Sequence, residues 1–201
     1  QVLPNIFENY FLKKGGDILV GRLVTQIKTN RHQAIGVVLE NQTFIDSKVI
    51  VSNSDATFTY TQLLKEANIS EKTLRTINIM SPSTSLFVMY LAVTTSLKKF
   101  LRYRCAAVWH FVESLGDGIV CTLPSIVDPQ LAPKDSDSVT MYYGVPFKNH
   151  SYWENNKQRV ADIFLKRFFR VFPLSKDHIK FYKISTPIDL NCETLNRDGA
   201  S

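Results

Sequence analysis

A chain of 201 residues, 44% hydrophobic and 21% charged, has the composition of a globular protein with one domain or one and a half. No apolar run reaches the roughly 18 residues that a membrane-spanning helix needs, and no signal-peptide pattern opens the chain. Lys and Arg number 24 against 18 Asp and Glu, a net charge of +6 that suits an anionic partner without choosing among nucleic acid, acidic lipid and a phosphate-bearing cofactor. The first residue is Gln1, so a cut or processed chain is expected.

Helical spacing of Ile6, Phe7, Tyr10 and Phe11 predicts the end of a helix over 5–14, stopped at Gly15-Gly16 with Lys13 and Lys14 in the last turn. Three strands of an antiparallel meander follow, at 17–28, 34–40 and 43–52. The last ends in Val49-Ile50-Val51, apolar on both faces, which predicts a strand inside a larger sheet with an exposed apolar face and a tendency to self-associate. A polar break at 52–55 precedes a helical region over about 56–67 and a short helix capped by Ser70. The segment 84–94 reads as a strong strand, with Leu86, Val88, Tyr90 and Ala92 on one face and Phe87, Met89, Leu91 and Val93 on the other. Strands are also expected at 98–113, 117–123 and 138–145, with a turn at Gly116-Asp117-Gly118 and a loop at 128–133. Residues 151–172 carry the clearest helical stripe, Val160, Ile163, Phe164, Phe168, Val171 and Phe172, ended by Pro173. The tail, 179–201, reads as a strand and then polar irregular chain.

Several chemistries lack their residues. Cys105, Cys121 and Cys192 form no CxxC, and His32, His110, His150 and His178 show no metal-ligand spacing, so no metal site is expected; three free thiols suit a reducing compartment. A Cys121–His110 pair is better read as a structural cysteine in a strand, and Asp135 and Asp137 as solvated turn residues. The triplets at Asn41, Asn68 and Asn149 read as chance sequons. None of the 8 glycines forms a GxGxxG, P-loop or GxSxG arrangement, so this chain alone should not hold a dinucleotide tightly. Two basic-aromatic stretches remain, Leu97–Arg104 and Lys166–Arg170. They read as a solvated basic face over a core stripe, as a docking face for an anionic membrane, or as a base-stacking surface. Nucleic acid is the least favoured of the three and is not expected as a partner.

Four blocks in order resemble one family. They are Gly15-Gly16-Asp17-Ile18 with Val24–Ile27, Ile35–Leu39 and Val49–Asp55; Pro82–Leu91; Asp128-Pro129-Gln130-Leu131-Ala132-Pro133 with Val145-Pro146 and Trp153; and Thr186-Pro187-Ile188-Asp189 with Leu195-Asn196 and Gly199. Together they resemble the interior of the phytoene desaturase, carotenoid isomerase and retinol saturase family of FAD-dependent oxidoreductases. Two departures stand in the first block: Ser54 where the family has Ala, and Ala56 where it prefers Pro.

The resemblance implies an α+β fold: a β-meander remnant of a Rossmann-type FAD domain over 1–55, and a substrate domain over 56–201 with a mixed or antiparallel sheet flanked by helices. It implies FAD in the parent protein, flanked by the backbone at Val24 and by Asn53 and Ser54. The family's N-terminal GxGxxG and C-terminal flavin segments are not in this sequence, so the fragment is expected not to retain FAD and to be inactive alone. The implied reaction is desaturation, saturation or isomerisation of carbon–carbon double bonds in a carotenoid-like or isoprenoid substrate. Phe87, Tyr90, Trp109 and Tyr142 are candidates to line the polyene tunnel, and no catalytic residue is assigned. The alternative is a non-catalytic lipid- or isoprenoid-binding module. A cytoplasmic location, peripheral at a membrane, goes with either reading.

Overall fold

The structure, a computed structural model, describes residues 2–101, 107–112, 117–174 and 176–200. Its contacts fall into two units, residues 1–80 and 81–201.

In the first unit, α1 (Val2–Lys13) ends where Gly15 turns left-handed at φ +83°. The Gly16 N–H donates to Phe11 O (3.1 Å) and the Gly15 N–H to Leu12 O (3.0 Å), the paired bonds of a glycine-stopped helix. No side chain of α1 is buried. Strands β1 (Val24–Asn30), β2 (Gln33–Leu39) and β3 (Phe44–Asp46) form an antiparallel meander in that order. Its two turns use left-handed Arg31 and Gln42. Gly36 is required where β2 meets β3, because a Cβ there would run into Ile45 O and the Phe44 ring.

Two expectations are corrected here. The first strand starts at Val24 rather than residue 17. The third ends at Asp46, and Val49-Ile50-Val51 forms no strand: Val49 is 75% and Val51 90% exposed. The Ser47 N–H closes the ladder on Ile35 O (3.0 Å), and no strand among the described residues pairs with 49–51. An apolar run is drawn into a sheet only where a neighbouring strand accepts its backbone bonds. Beyond it, the Asp55 carboxylate accepts from the Phe58 N–H (3.0 Å) to start α2 (Ala56–Phe58), which widens into a π turn over Thr59–Leu63. Leu63 is buried, as are Ile27, Val38 and Leu39 of the meander. Lys28 on β1 reaches Glu66 (3.1 Å), whose carboxyl is held below the ordinary range by the neighbouring Gln26 amide and then by Lys28. Ser70 caps α3 (Glu71–Ile79), accepting from the Thr73 N–H (3.1 Å).

The second unit is a five-stranded antiparallel sheet. Its strands are β4 (Ser85–Val93), β5 (Ala107–Val112), β6 (Asp117–Thr122), β7 (Asp137–Val145) and β8 (Ile179–Ser185), in the order β5-β6-β7-β4-β8. Strict alternation on β4 sends Phe87, Met89, Leu91 and Val93 to one face, joined by Ile119, Cys121, Val139 and Met141. Helix α5 (His150–Val171), capped by Asn149, closes that face with Trp153, Ala161, Phe164 and Phe168, and Phe172 follows. The Phe87 ring lies 5.0 Å from Phe164 and 5.5 Å from Trp153, centroid to centroid. Each such aromatic contributes about 1.5–3 kcal/mol by burial. The expected stripe of α5 is rotated slightly, since Ile163 is 41% exposed while Trp153 and Ala161 are buried.

Three further readings differ from the structure. Residues 97–100 are a 3-10 turn rather than strand, and Ala107–Val112 is the part of the expected strand that is described. Gly116, Arg102–Arg104 and Cys105 lie outside the described residues. The tail is not irregular after β8: α6 (Pro187–Thr194) starts with a capping box, Thr186 and Asp189 each bonding the other's backbone. Asp137 is buried at 4% exposure rather than solvated. It accepts from the Leu97 N–H (2.7 Å) and from the Ser125 hydroxyl (2.7 Å) at α4 (Pro124–Val127).

Candidate functional site

The face of the five-stranded sheet opposite α5 is where the second unit presents a groove. Along β4 this face carries Leu86, Val88, Tyr90 and Ala92, and the register sets Tyr90 beside Thr140 of β7 and Lys183 of β8. One step along, Trp109, Val120, Tyr142, Val88 and Ser185 form a continuous row across all five strands. Val88 and Val120 are buried, Tyr142 is half-buried and Tyr90 is 41% exposed. The groove, about 610 Å³, lies between Tyr90, Ala92 and Phe181 of the sheet and Pro124, Leu131 and Pro133 of the connection after β6. That volume is within the range of small-molecule sites. The connection is held in place by local chemistry. The Asp128 carboxylate accepts from the Gln130 N–H (3.0 Å) to make the 3-10 turn Pro129–Leu131, and Asp137 ties Ser125 and Leu97 to the start of β7.

The four residues expected to line a tunnel therefore separate. Tyr90 lines the groove, and Tyr142 sits on the same face further along. Trp109 occupies the same register row, with its side chain outside what is described. Phe87 is on the other face, fully buried under α5. Leu131, Pro133 and Phe181 were not singled out from sequence. The signals for them were present: the Asp128–Pro133 block, and alternation in Lys180-Phe181-Tyr182-Lys183 that puts Phe181 on the face of Ala92.

In the first unit, a smaller hollow of about 340 Å³ is bounded by Ile27, Ala34, Ile50, Ser52, Ser54, Thr59 and Tyr60 among others. Ser54 borders it, Asn53 is exposed beside it, and Val24 opens β1, the edge strand of the meander, at a bulge before Gln26. The Ser52 and Thr59 hydroxyls bond each other across 2.9 Å. These residues fit a flanking contact with FAD, through hydroxyls and a strand edge. They do not fit its pyrophosphate, for which this chain has no glycine-rich loop.

Burial pushes the Cys121 thiol up to about 12, so it stays a thiol at neutral pH. Among the described residues no cluster of His, Cys, Asp or Glu can hold a metal ion.

Comparison with known proteins follows the same lines. No family model matches the chain. Prolycopene isomerase 1 and prolycopene isomerase 2, both chloroplastic and from an Oncidium hybrid cultivar, are each 27% identical over 195 residues, 89% of this chain and 32% of theirs. A lycopene-forming phytoene desaturase of a Paracoccus species is 22% identical over 205 residues, 95% of this chain and 41% of its own length. The chain is carotenoid desaturase- and isomerase-like. This desaturase-like chain spans about a third of the length of those isomerases and two fifths of that desaturase. In fold it matches an oxidoreductase from Methanosarcina mazei (TM-score 0.64, 16% identity, 88% of this chain and 40% of that one) and a protein from Pyrococcus furiosus with the same score and identity.

Proposed function

We propose that this chain is an interior portion of an FAD-dependent oxidoreductase acting on carbon–carbon double bonds of a carotenoid-like or isoprenoid substrate. Residues 1–55 are the remnant of its Rossmann-type FAD domain and residues 56–201 its substrate domain, with 56–80 grouping by contacts with the first unit. The observation that carries this reading is the groove on the open face of the second sheet, lined by Tyr90, Ala92, Leu131, Pro133 and Phe181. An apolar chain lying there gains by leaving water and meets flat aromatic and ring surfaces. The desaturase and isomerase relatives support the kind of reaction.

FAD, when bound, supplies hydride acceptance or return at the polyene. The chain's own residues do the positioning. Tyr90 and Tyr142 extend the contact along the sheet, and the Asp128–Pro133 connection roofs one end and excludes water. The Val24 backbone, Asn53 and Ser54 would hold the cofactor from the first unit, through a strand edge and hydroxyl or amide groups. The groove needs no charged group to hold a hydrocarbon, and no residue in it is assigned a proton-transfer step.

The test is expression of the complete gene product in bacterial cells that accumulate phytoene or a poly-cis lycopene, with pigments resolved by chromatography. The wild type is expected to change conjugation length or double-bond geometry. Leu131→Asp, which puts a charge into the groove from an exposed position, is expected to remove that change. Flavin-loaded wild-type protein that leaves both pigments unaltered contradicts the proposal.

A further inference from the structure

The other side of the edge strand β8 carries a second groove, of about 570 Å³, between β8 and the C-terminal half of α5. Its floor is Leu165, Phe169, Ile179 and Tyr182, and its rim holds Lys166, Lys176 and Lys180 with one carboxylate, Asp162. Asp162 accepts from the Gln158 amide (3.1 Å), which also bonds the Tyr182 hydroxyl (2.9 Å). The three lysines are exposed, and no salt bridge found among the described residues engages them or Lys183. Phe181, between Lys180 and Lys183, is 62% exposed, the exposed aromatic of this edge. From spacing alone Phe169 would be expected in that role, yet it turns inward, half-buried, with its ring 5.6 Å from Phe168.

Phe181 and Lys180 border both grooves. The apolar groove and the lysine-rimmed groove thus meet at one edge of one sheet. An exposed Phe flanked by lysines is the arrangement that suits an anionic bilayer: the ring enters the interface while long cationic side chains pair with headgroups.

We infer that the β8 edge, with Phe181 as the inserted residue and Lys166, Lys176, Lys180 and Lys183 as headgroup contacts, docks the protein on an anionic lipid surface so that the apolar groove opens toward the lipid. The inference rests on the proposed function for its purpose, since a polyene is dissolved in lipid. Its test does not depend on that reading, because vesicle binding is measured without any polyene.

Cosedimentation with phosphatidylglycerol–phosphatidylcholine vesicles and with phosphatidylcholine alone is the measurement. Wild type is expected to bind the anionic vesicles, to be released by salt at about 0.5 M, where the screening length falls to a few ångström, and to ignore the neutral ones. Lys166→Glu/Lys176→Glu, neither of which borders the apolar groove, is expected to weaken partitioning at least about twentyfold. Phe181→Ala is expected to weaken it as well. A control, Lys72→Glu/Arg75→Glu on α3, is expected to bind as wild type. Circular dichroism of each variant shows that it is folded. Equal loss in the control, no loss in the β8 and α5 variants, or no binding by wild type overturns the inference. Full release by millimolar inorganic diphosphate at fixed ionic strength also overturns it, since the site would then take a soluble anion.

Discussion

Asp137 and Cys121 show what a single side chain does here. Asp137 sits in a polar stretch, Lys134–Ser138, that looks solvated in sequence. Its partners, Leu97 and Ser125, are 40 and 12 residues away, and no local pattern announces a carboxylate reached from two other segments. Removing it strands the buried Leu97 N–H and leaves the Ser125 hydroxyl only its contacts to the Ser138 backbone, so Asp137→Ala is expected to cost about 2–4 kcal/mol. Asp135→Gly, two residues earlier at a left-handed position, should stay within about 0.5 kcal/mol. Urea unfolding of both variants checks this. The structural role of Cys121 was legible, because a lone Cys in an apolar strand usually packs. Its folded-state pKa is raised from an ordinary 9.0 to about 12, so the native state keeps a proton that the unfolded chain loses. The associated stability is fully present below pH 9 and falls as pH rises from 9 toward 12, by about 1.4 kcal/mol per unit at the steepest. Thiol labelling at pH 8 with peptide mapping should find exposed Cys192 modified and Cys121 protected until unfolding.

Elements were legible where period and punctuation agreed. Strand β4 and helix α5 were found nearly to the residue, because alternation and a 3.6-residue stripe are physical requirements of burying one face. The rotation of α5 was not visible: Ile163 and Phe164 both fit a helical stripe, and packing against Phe87 decides between them. Phe164→Ala is therefore expected to cost about 3–5 kcal/mol and Ile163→Ala well under 1 kcal/mol. Helix α6 was missed although its start, Thr186-Pro187-Ile188-Asp189, is a capping box with proline at the first turn. Its short apolar content hid it. The same block explains Gly199, left-handed at φ +59°, where any Cβ would meet Pro187 O while the Ser85 hydroxyl donates to Gly199 O (2.8 Å). Thr186→Ala should cost about 1 kcal/mol, and Gly199→Ala more, about 2–3 kcal/mol, read as shifts in thermal midpoint.

For the molecule, order of blocks carried more than composition. Charge and hydrophobic fraction left every class of partner open, whereas four short blocks in sequence order pointed to the desaturases and isomerases that the comparisons then matched. What sequence did not show is which face of the second sheet is open. Tyr90 and Phe87 alternate on one strand, and only the coverage by α5 separates a wall residue from a core residue. The segment around Val49 and Val51 should drive association of the isolated chain. Analytical ultracentrifugation is expected to show concentration-dependent self-association that Val49→Lys/Val51→Lys reduces.

The central claim is that the open face between β4, β8 and the Asp128–Pro133 connection receives a polyene. Energy transfer from tryptophan to a C20 conjugated polyene alcohol, titrated at equilibrium, tests it most directly. Wild type should bind saturably, Leu131→Asp should bind at least about tenfold more weakly, and Ile163→Asp, exposed on α5 on the far side of the sheet, should bind as wild type. Unsaturable quenching in wild type, or equal affinity in Leu131→Asp, would contradict the account.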